Sequence, residues 1–273
     1  MVYVKEYRIV NNLEVKEYEI AQLYAVAKMS LANSGGGEGV EVVKNEPFEN
    51  ENGSGQYTYK IYHLASKVPM IVRAVLPASV LQIHEESWNG YPHCKTVVTN
   101  PFMGKKFKII TESMHLPDRG ETENALNVAP EILKIRKIDN VDITLDSGLD
   151  NNPYVKEEDP KLYKSEKTGR GPLTGSEWRK TCEPVMTCYK LVTAEFIWFG
   201  LQGAVETMIH KMMRALMVQF HRRLYSETDE WYGMTMEELR NLEDKTTSEL
   251  EQKRKDDAAK EAANEAAEGL SKS

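Results

Sequence analysis

Between residues 39 and 115 the chain carries six short runs in strand pattern, at 39 to 45, 56 to 63, 70 to 76, 80 to 89, 94 to 100 and 107 to 115. None of the gaps between them holds the dozen or more residues that a crossover between parallel strands requires. Strands spaced this closely, with turn residues between them, pair antiparallel. Further strand patterns at 2 to 10, 138 to 145 and 188 to 199 stand apart, and regular strand-helix alternation is missing. The expected class is therefore α+β, built on a mostly antiparallel sheet.

Helices are read from the 3.6-residue period. Residues 14 to 32 carry Tyr18, Leu23, Val26 and Met29 on one stripe and stop at Ser34 and three glycines, Gly35 to Gly37. After Gly200 a second stripe runs through Val205, Ile209, Met213, Leu216, Phe220 and Leu224. The last helix opens at Thr235, where Thr235 and Glu238 have the spacing of a capping box, and its stripe is Leu239, Leu242, Thr246 and Leu250. Residues 116 to 187, rich in proline, read as long loops with short helices. Past residue 255 the chain is Ala, Glu, Lys and Asp with little to bury, a frayed helix or disordered tail. One domain over 1 to 253 with a tail over 254 to 273 is expected.

Composition narrows the function. With 273 residues and 41% hydrophobic content the chain can enclose a large core. Its net charge of -7 excludes a diffuse basic surface, so nucleic acid is not an expected partner. Lys5, Glu6 and Arg8 stand where a secretion signal would be apolar, and no run of 18 apolar residues exists to span a bilayer. The three cysteines, Cys94, Cys182 and Cys188, form no Cys-x-x-Cys pair. A reduced, cytosolic protein without structural zinc is expected.

Side chains two apart on a strand share a face. Leu81 and Ile83 are followed on theirs by Glu85, Ser87 and Asn89, so this face is apolar at one end and hydrogen-bonding at the other. Phe107 and Ile109 lead to Thr111, Ser113 and His115. Lys190 precedes Val192, Ala194, Phe196 and Trp198, while Gln56, Thr58, Lys60 and Tyr62 share a face. Glu243 falls within the apolar stripe of the last helix. A single such charge ordinarily snorkels to water. If Lys60, Lys190, Glu85 and Glu243 all point inward, they need each other or a ligand. An amphiphile with an anionic, hydroxylated headgroup supplies both.

Other patterns say less. Gly35 to Gly39 lacks the Lys-Ser/Thr of a phosphate loop and reads as a helix stop. Lys167-Thr168-Gly169-Arg170-Gly171-Pro172 is either a structural surface loop or an anion loop. Ser165, between Lys164 and Lys167, fits a kinase target. A hydrolase built on His84 and Glu85, or on Cys94 as nucleophile, lacks any supporting motif. Trp198 and Phe199 either pack on both sides of a strand end or sit on a loop tip that enters a bilayer interface.

The motifs Gly55-Gln56-Tyr57-Thr58-Tyr59-Lys60, Trp88-Asn89-Gly90-Tyr91-Pro92, Glu157-Glu158-Asp159-Pro160, Lys167 to Leu173 and Tyr189-Lys190-Leu191-Val192-Thr193 resemble phosphatidylinositol transfer proteins, in order from Lys5 to about Glu249. The resemblance implies a fold related to lipid-binding START domains, a helix-grip in which a concave sheet and long helices enclose one phospholipid. It implies inositol contacts at Thr58, Lys60, Asn89 and Glu243, phosphate contacts at Gln22, Thr96, Ser113 and Lys190, Glu85 close by, and Cys94 as a pocket thiol. Membrane docking falls to Trp198 and Phe199, where related chains usually have Trp-Trp, and Ser113 replaces a usual Thr. Pro184-Val185-Met186 and Ser165-Glu166-Lys167 look closer to the retinal-degeneration-B branch.

The implied activity is exchange of phosphatidylinositol and phosphatidylcholine between membranes in support of phosphoinositide signalling. The implied protein is a non-enzymatic, cofactor-free monomer in the cytoplasm that visits Golgi or ER surfaces. Alternatives are a lipid sensor or adaptor, a retinal-degeneration-B-type domain with phosphatidic acid as counter-ligand, and, more distantly, a lipid-modifying hydrolase.

Overall fold

The computed structural model describes residues 3–32, 34, 39–50, 53–63, 78–145, 154–197 and 202–271. In chain order these form β1 (Tyr3–Asn11), α1 (Val15–Ala32), β2 (Gly39–Asn50), β3 (Gly53–His63), β4 (Gln82–Gly90), β5 (His93–Thr99), β6 (Phe107–Leu116), α2 (Pro130–Ile135), β7 (Lys137–Val141), α3 (Trp178–Thr181), β8 (Met186–Phe196), α4 (Gln202–Ser226), α5 (Thr228–Trp231) and α6 (Met236–Ser271). The strands make one eight-stranded sheet in the order β2-β3-β4-β5-β6-β8-β1-β7. Every neighbouring pair is antiparallel except β1 with β7. The α+β, mostly antiparallel expectation holds, with a helix-grip arrangement. The strand expected at 70 to 76 and the pair Trp198-Phe199 lie outside the described residues.

Several boundaries differ from the sequence pattern: β2 runs on to Asn50, β3 starts at Gly53 and β8 at Met186, and two further differences have a local cause. Ala78–Leu81 form a 3-10 turn, so β4 starts at Gln82 and Leu81 is buried by that turn rather than by strand parity. The segment expected to be a strand over 138 to 145 is paired only through Val141, and Asp142 then turns the chain by accepting from the Thr144 N–H and hydroxyl.

The capping box closes as expected: the Thr235 N–H donates to Glu238 Oε2 at 2.8 Å and the Glu238 N–H returns to Thr235 Oγ1 at 3.2 Å. Leu239, Thr246 and Leu250 of α6 are buried. Lys253 donates to the Leu31 carbonyl at the end of α1, and Arg254 pairs with Glu41 of β2 at 3.0 Å. Helical backbone continues to Ser271. The 167–172 loop has its own internal partners, since Arg170 makes two bonds to Glu17 and the Lys167 N–H reaches Asp229.

The stripe of α4 needs correction. Ile209 and Leu224 are buried, but Leu216 is exposed, and the seam against the sheet carries Glu206, His210, Met217 and His221. Each polar member of that seam has a distant partner. Glu206 accepts from the Phe196 N–H. The Tyr7 hydroxyl donates to the His210 carbonyl at 2.9 Å, and Tyr18 of α1 hydrogen-bonds His221 at 3.0 Å. A period search scores polar residues as exposed and so passes over a core built this way.

Burial holds His221 neutral, at about 3 against an ordinary 6.5, with the Lys190 cation adding to the depression. The unfolded chain takes up a proton that the folded one refuses. Stability is therefore complete above about pH 6.5 and falls as pH drops below it, by about 1.4 kcal/mol per pH unit for this one group. His115, also buried and pushed well below its ordinary value, acts in the same direction. Urea midpoints at pH 7 and pH 5 are expected to show this loss, and His221→Gln is expected to shrink the difference between them. An unchanged difference in the variant rules out His221 as its source.

Among the described residues, no helix is long and apolar enough to cross a membrane, and no cluster of His, Cys, Asp and Glu could hold a metal ion.

Candidate functional site

Strand register decides which side chains meet, because directly opposed residues share a face. Reading across the sheet, Lys190 of β8 stands opposite Ser113 of β6, Ser113 opposite Cys94 of β5, Cys94 opposite Asn89 of β4, and Asn89 opposite Gln56 of β3. Two residues along, the row is Val192, Thr111, Thr96, Ser87 and Thr58. The next is Ala194, Ile109, Val98, Glu85 and Lys60, and beyond it Phe196 opposes Phe107 while Ile83 opposes Tyr62. All eight strand residues singled out in the sequence, Thr58, Lys60, Glu85, Asn89, Cys94, Thr96, Ser113 and Lys190, thus lie on one face.

That face is the one the helices cover. Tyr7, opposite Lys190, reaches α4 through its bond to His210, and Gln22 of α1 lies 4.0 Å from the Cys94 sulfur. On β5, β6 and β8 the rows change along the strands from hydrogen-bonding to apolar, while on β3 and β4 the charged pair Lys60 and Glu85 stands in the third row. The other face is different in kind, with Lys95 paired to Glu112 and Tyr57 packed on Trp88.

The two cations stand far apart. Lys60 on β3 and Lys190 on β8 are four strands apart in the sheet and two rows apart along the strands. The face thus carries two polar regions, one at each lysine. The Lys190 ammonium lies 3.4 Å from the Ser113 hydroxyl, and Ser87 and Thr96 hydroxyls join at 3.0 Å. Lys60 is 8% exposed and stands opposite Glu85, whose carboxylate accepts from the Tyr62 hydroxyl at 3.2 Å. Among the described residues Lys60 itself makes no hydrogen bond or ion pair. A nearly buried ammonium in that condition is costly unless something else meets it.

Glu243 of α6 is held by Arg240 at 2.5 Å. Arg240 in turn lines a cavity of about 660 Å³ with Gln22, Gln56 and Asn89. The cavity therefore joins α1, the β3–β4 region and α6. Cys94 is buried, and burial raises its thiol above the ordinary value, which leaves little thiolate for nucleophilic work. His84 and Glu85, adjacent on β4, point to opposite faces, and His84 is engaged with the Tyr59 hydroxyl at 2.7 Å. The hydrolase set is not brought together. Ser165 donates to Asp229 at 2.6 Å and is buried, so modification there requires that contact to open first.

Sequence reasoning did not single out Ser87, Thr111 or Tyr62 as site residues, although their parity was visible. Arg240 gave no signal at all, because its place depends on where α6 lands.

An antiparallel sheet gripped by helices, with a wall graded from polar to apolar, defines a helix-grip protein suited to an amphiphile. The chain belongs to the phosphatidylinositol transfer protein family, whose model matches residues 2–248. It is 51% identical over 257 residues to phosphatidylinositol transfer protein 2 of Dictyostelium discoideum, covering 94% of this chain and 98% of that one. It is 46% identical over 260 residues to the human phosphatidylinositol transfer protein beta isoform, covering 93% and 96%. Phosphatidylinositol transfer protein 1 of Dictyostelium discoideum is 46% identical over 251 residues, covering 92% and 95%.

Proposed function

We propose that this protein carries one phospholipid at a time between membranes, taking phosphatidylinositol or phosphatidylcholine, and makes or breaks no covalent bond in doing so. The observation that carries this reading is the register that gathers Lys60, Glu85, Asn89, Ser113 and Lys190 onto one helix-covered face beside an apolar row. Thr58, Lys60, Asn89 and Glu243 take the inositol ring, with Glu85 ordering the cation beside it. Gln22, Thr96, Ser113 and Lys190 take the phosphate, and Cys94 lies between the two regions.

The physical need is plain. Moving some 30 chain methylenes through water costs roughly 20 to 25 kcal/mol at about 0.8 kcal/mol each. A wall that keeps the chains dry while its polar rows replace water lowers that barrier. Trp198 and Phe199 serve as the membrane-docking pair, the protein works as a monomer at cytoplasmic membrane surfaces, and residues 254 to 273 are an appendage to the transfer unit.

Native mass spectrometry of the purified protein is expected to show one bound phospholipid. Labelled lipid moved from donor to acceptor vesicles is expected to arrive chemically unchanged. Binding without transfer favours a sensor, and altered lipid an enzyme; either result sinks the carrier reading.

A further inference from the structure

We propose that Arg240 sets the choice between headgroups by neutralising Glu243. The inference rests on the reading that the cargo headgroup reaches Glu243. Arg240 and Glu243 are one helical turn apart on α6, and the guanidinium donates to Glu243 Oε2 at 2.5 Å, the carboxylate being only 15% exposed. The cavity that Arg240 lines with Gln22, Gln56 and Asn89 also has Glu19 and Glu49 on its wall, and Arg240 is the only cation among the described residues that line it. The described wall thus carries two carboxylates against one cation, with Glu243 one turn beyond Arg240 on α6.

The two headgroups differ in what they ask of such a place. A choline headgroup brings a permanent cation and no O–H donor, whereas an inositol headgroup brings hydroxyls and no cation. With Arg240 bound to one oxygen, Glu243 keeps the other free to accept from a hydroxyl, while its charge is cancelled. Without Arg240, Glu19, Glu49 and the Phe48 and Tyr91 rings of the cavity wall, with the bare Glu243 carboxylate a turn away on α6, become a site for a quaternary ammonium. Arg240 is thus a positioning residue that acts through Glu243. It keeps the opening from rewarding the wrong lipid, which is selectivity by disfavouring the competitor.

The test offers each protein vesicles of equal phosphatidylinositol and phosphatidylcholine and reads the bound ratio by native mass spectrometry. Arg240→Gln is expected to raise the choline-to-inositol lipid ratio about tenfold, a loss of one cation near the headgroup. Arg240→Met, which keeps the aliphatic stem, is expected to do the same and guards against a folding defect in one variant. Arg240→Lys is expected to stay within about twofold of wild type, because it restores the charge. Glu243→Gln is expected to weaken inositol lipid binding, and adding Arg240→Gln to it is expected to change the ratio no further. Unchanged ratios in both charge-removing variants, with Glu243→Gln still impaired, overturn the role of Arg240 while leaving the headgroup reading intact. If Glu243→Gln also binds as wild type does, the headgroup reading itself fails.

Discussion

Lys60→Ala is expected to lower uptake of phosphatidylinositol by at least about tenfold while phosphatidylcholine is still taken up. The side chain is 8% exposed, opposes Glu85 on the neighbouring strand, and has no hydrogen-bonding or ionic partner among the described residues. A hydrogen bond to a charged group contributes about 1.5 to 3 kcal/mol, and each 1.4 kcal/mol is tenfold in affinity. On the proposed reading the loss falls on the inositol lipid, because the phosphate contact is assigned to Lys190, four strands away in the sheet. Mixed-vesicle uptake followed by mass spectrometry of the bound lipid reads the two cargoes together. Equal losses of both lipids mean that the substitution damaged the whole face, and no loss of either removes Lys60 from the headgroup.

Glu6→Gln is expected to reduce stability by about 3 to 5 kcal/mol, without altering the ratio of bound lipids. Glu6 points away from the graded wall and holds two arginines at once: Arg8 Nε lies 2.7 Å from Oε1 and Arg136 Nη1 lies 2.6 Å from Oε2. The Glu6 and Arg136 side chains are 2% and 3% exposed. Removing the shared carboxylate leaves two buried cations short of charge, and breaking a buried pair in this way costs far more than the intact pair contributes. Chemical denaturation at pH 7 gives the difference directly. A loss below about 1 kcal/mol would show that Glu123 and the Gly120 carbonyl, which Arg8 and Arg136 also contact, suffice for both guanidiniums.

What the sequence disclosed followed the range over which each signal acts. Strands β2 to β6 were legible because parity and turn residues are local, and the capping box at Thr235 for the same reason. The insertion of β8 and β1 between β6 and β7 was not, since those pairings join distant segments. Within each strand, parity put Glu85 with Asn89 and Thr58 with Lys60. That these separate faces form one continuous face could be learned only from the register between strands. His210 and His221 were invisible as core residues because each depends on a tyrosine 203 positions away. Gln22 and Arg240 sit on helices whose relation to the sheet is fixed by packing alone.

The graded wall also has a length. Successive rows of the helix-covered face are two residues apart, about 7 Å along the strand, so the three steps from the Lys190 row to the Phe107 row span about 20 Å. A bilayer 40 to 45 Å thick including headgroups gives each leaflet about 20 to 22 Å. The face is thus about as long as one leaflet is thick, with the charged pair Lys60 and Glu85 one row short of its apolar end. On the proposed carrier reading, a single phospholipid finds on this one face a length matched to its own span in the membrane.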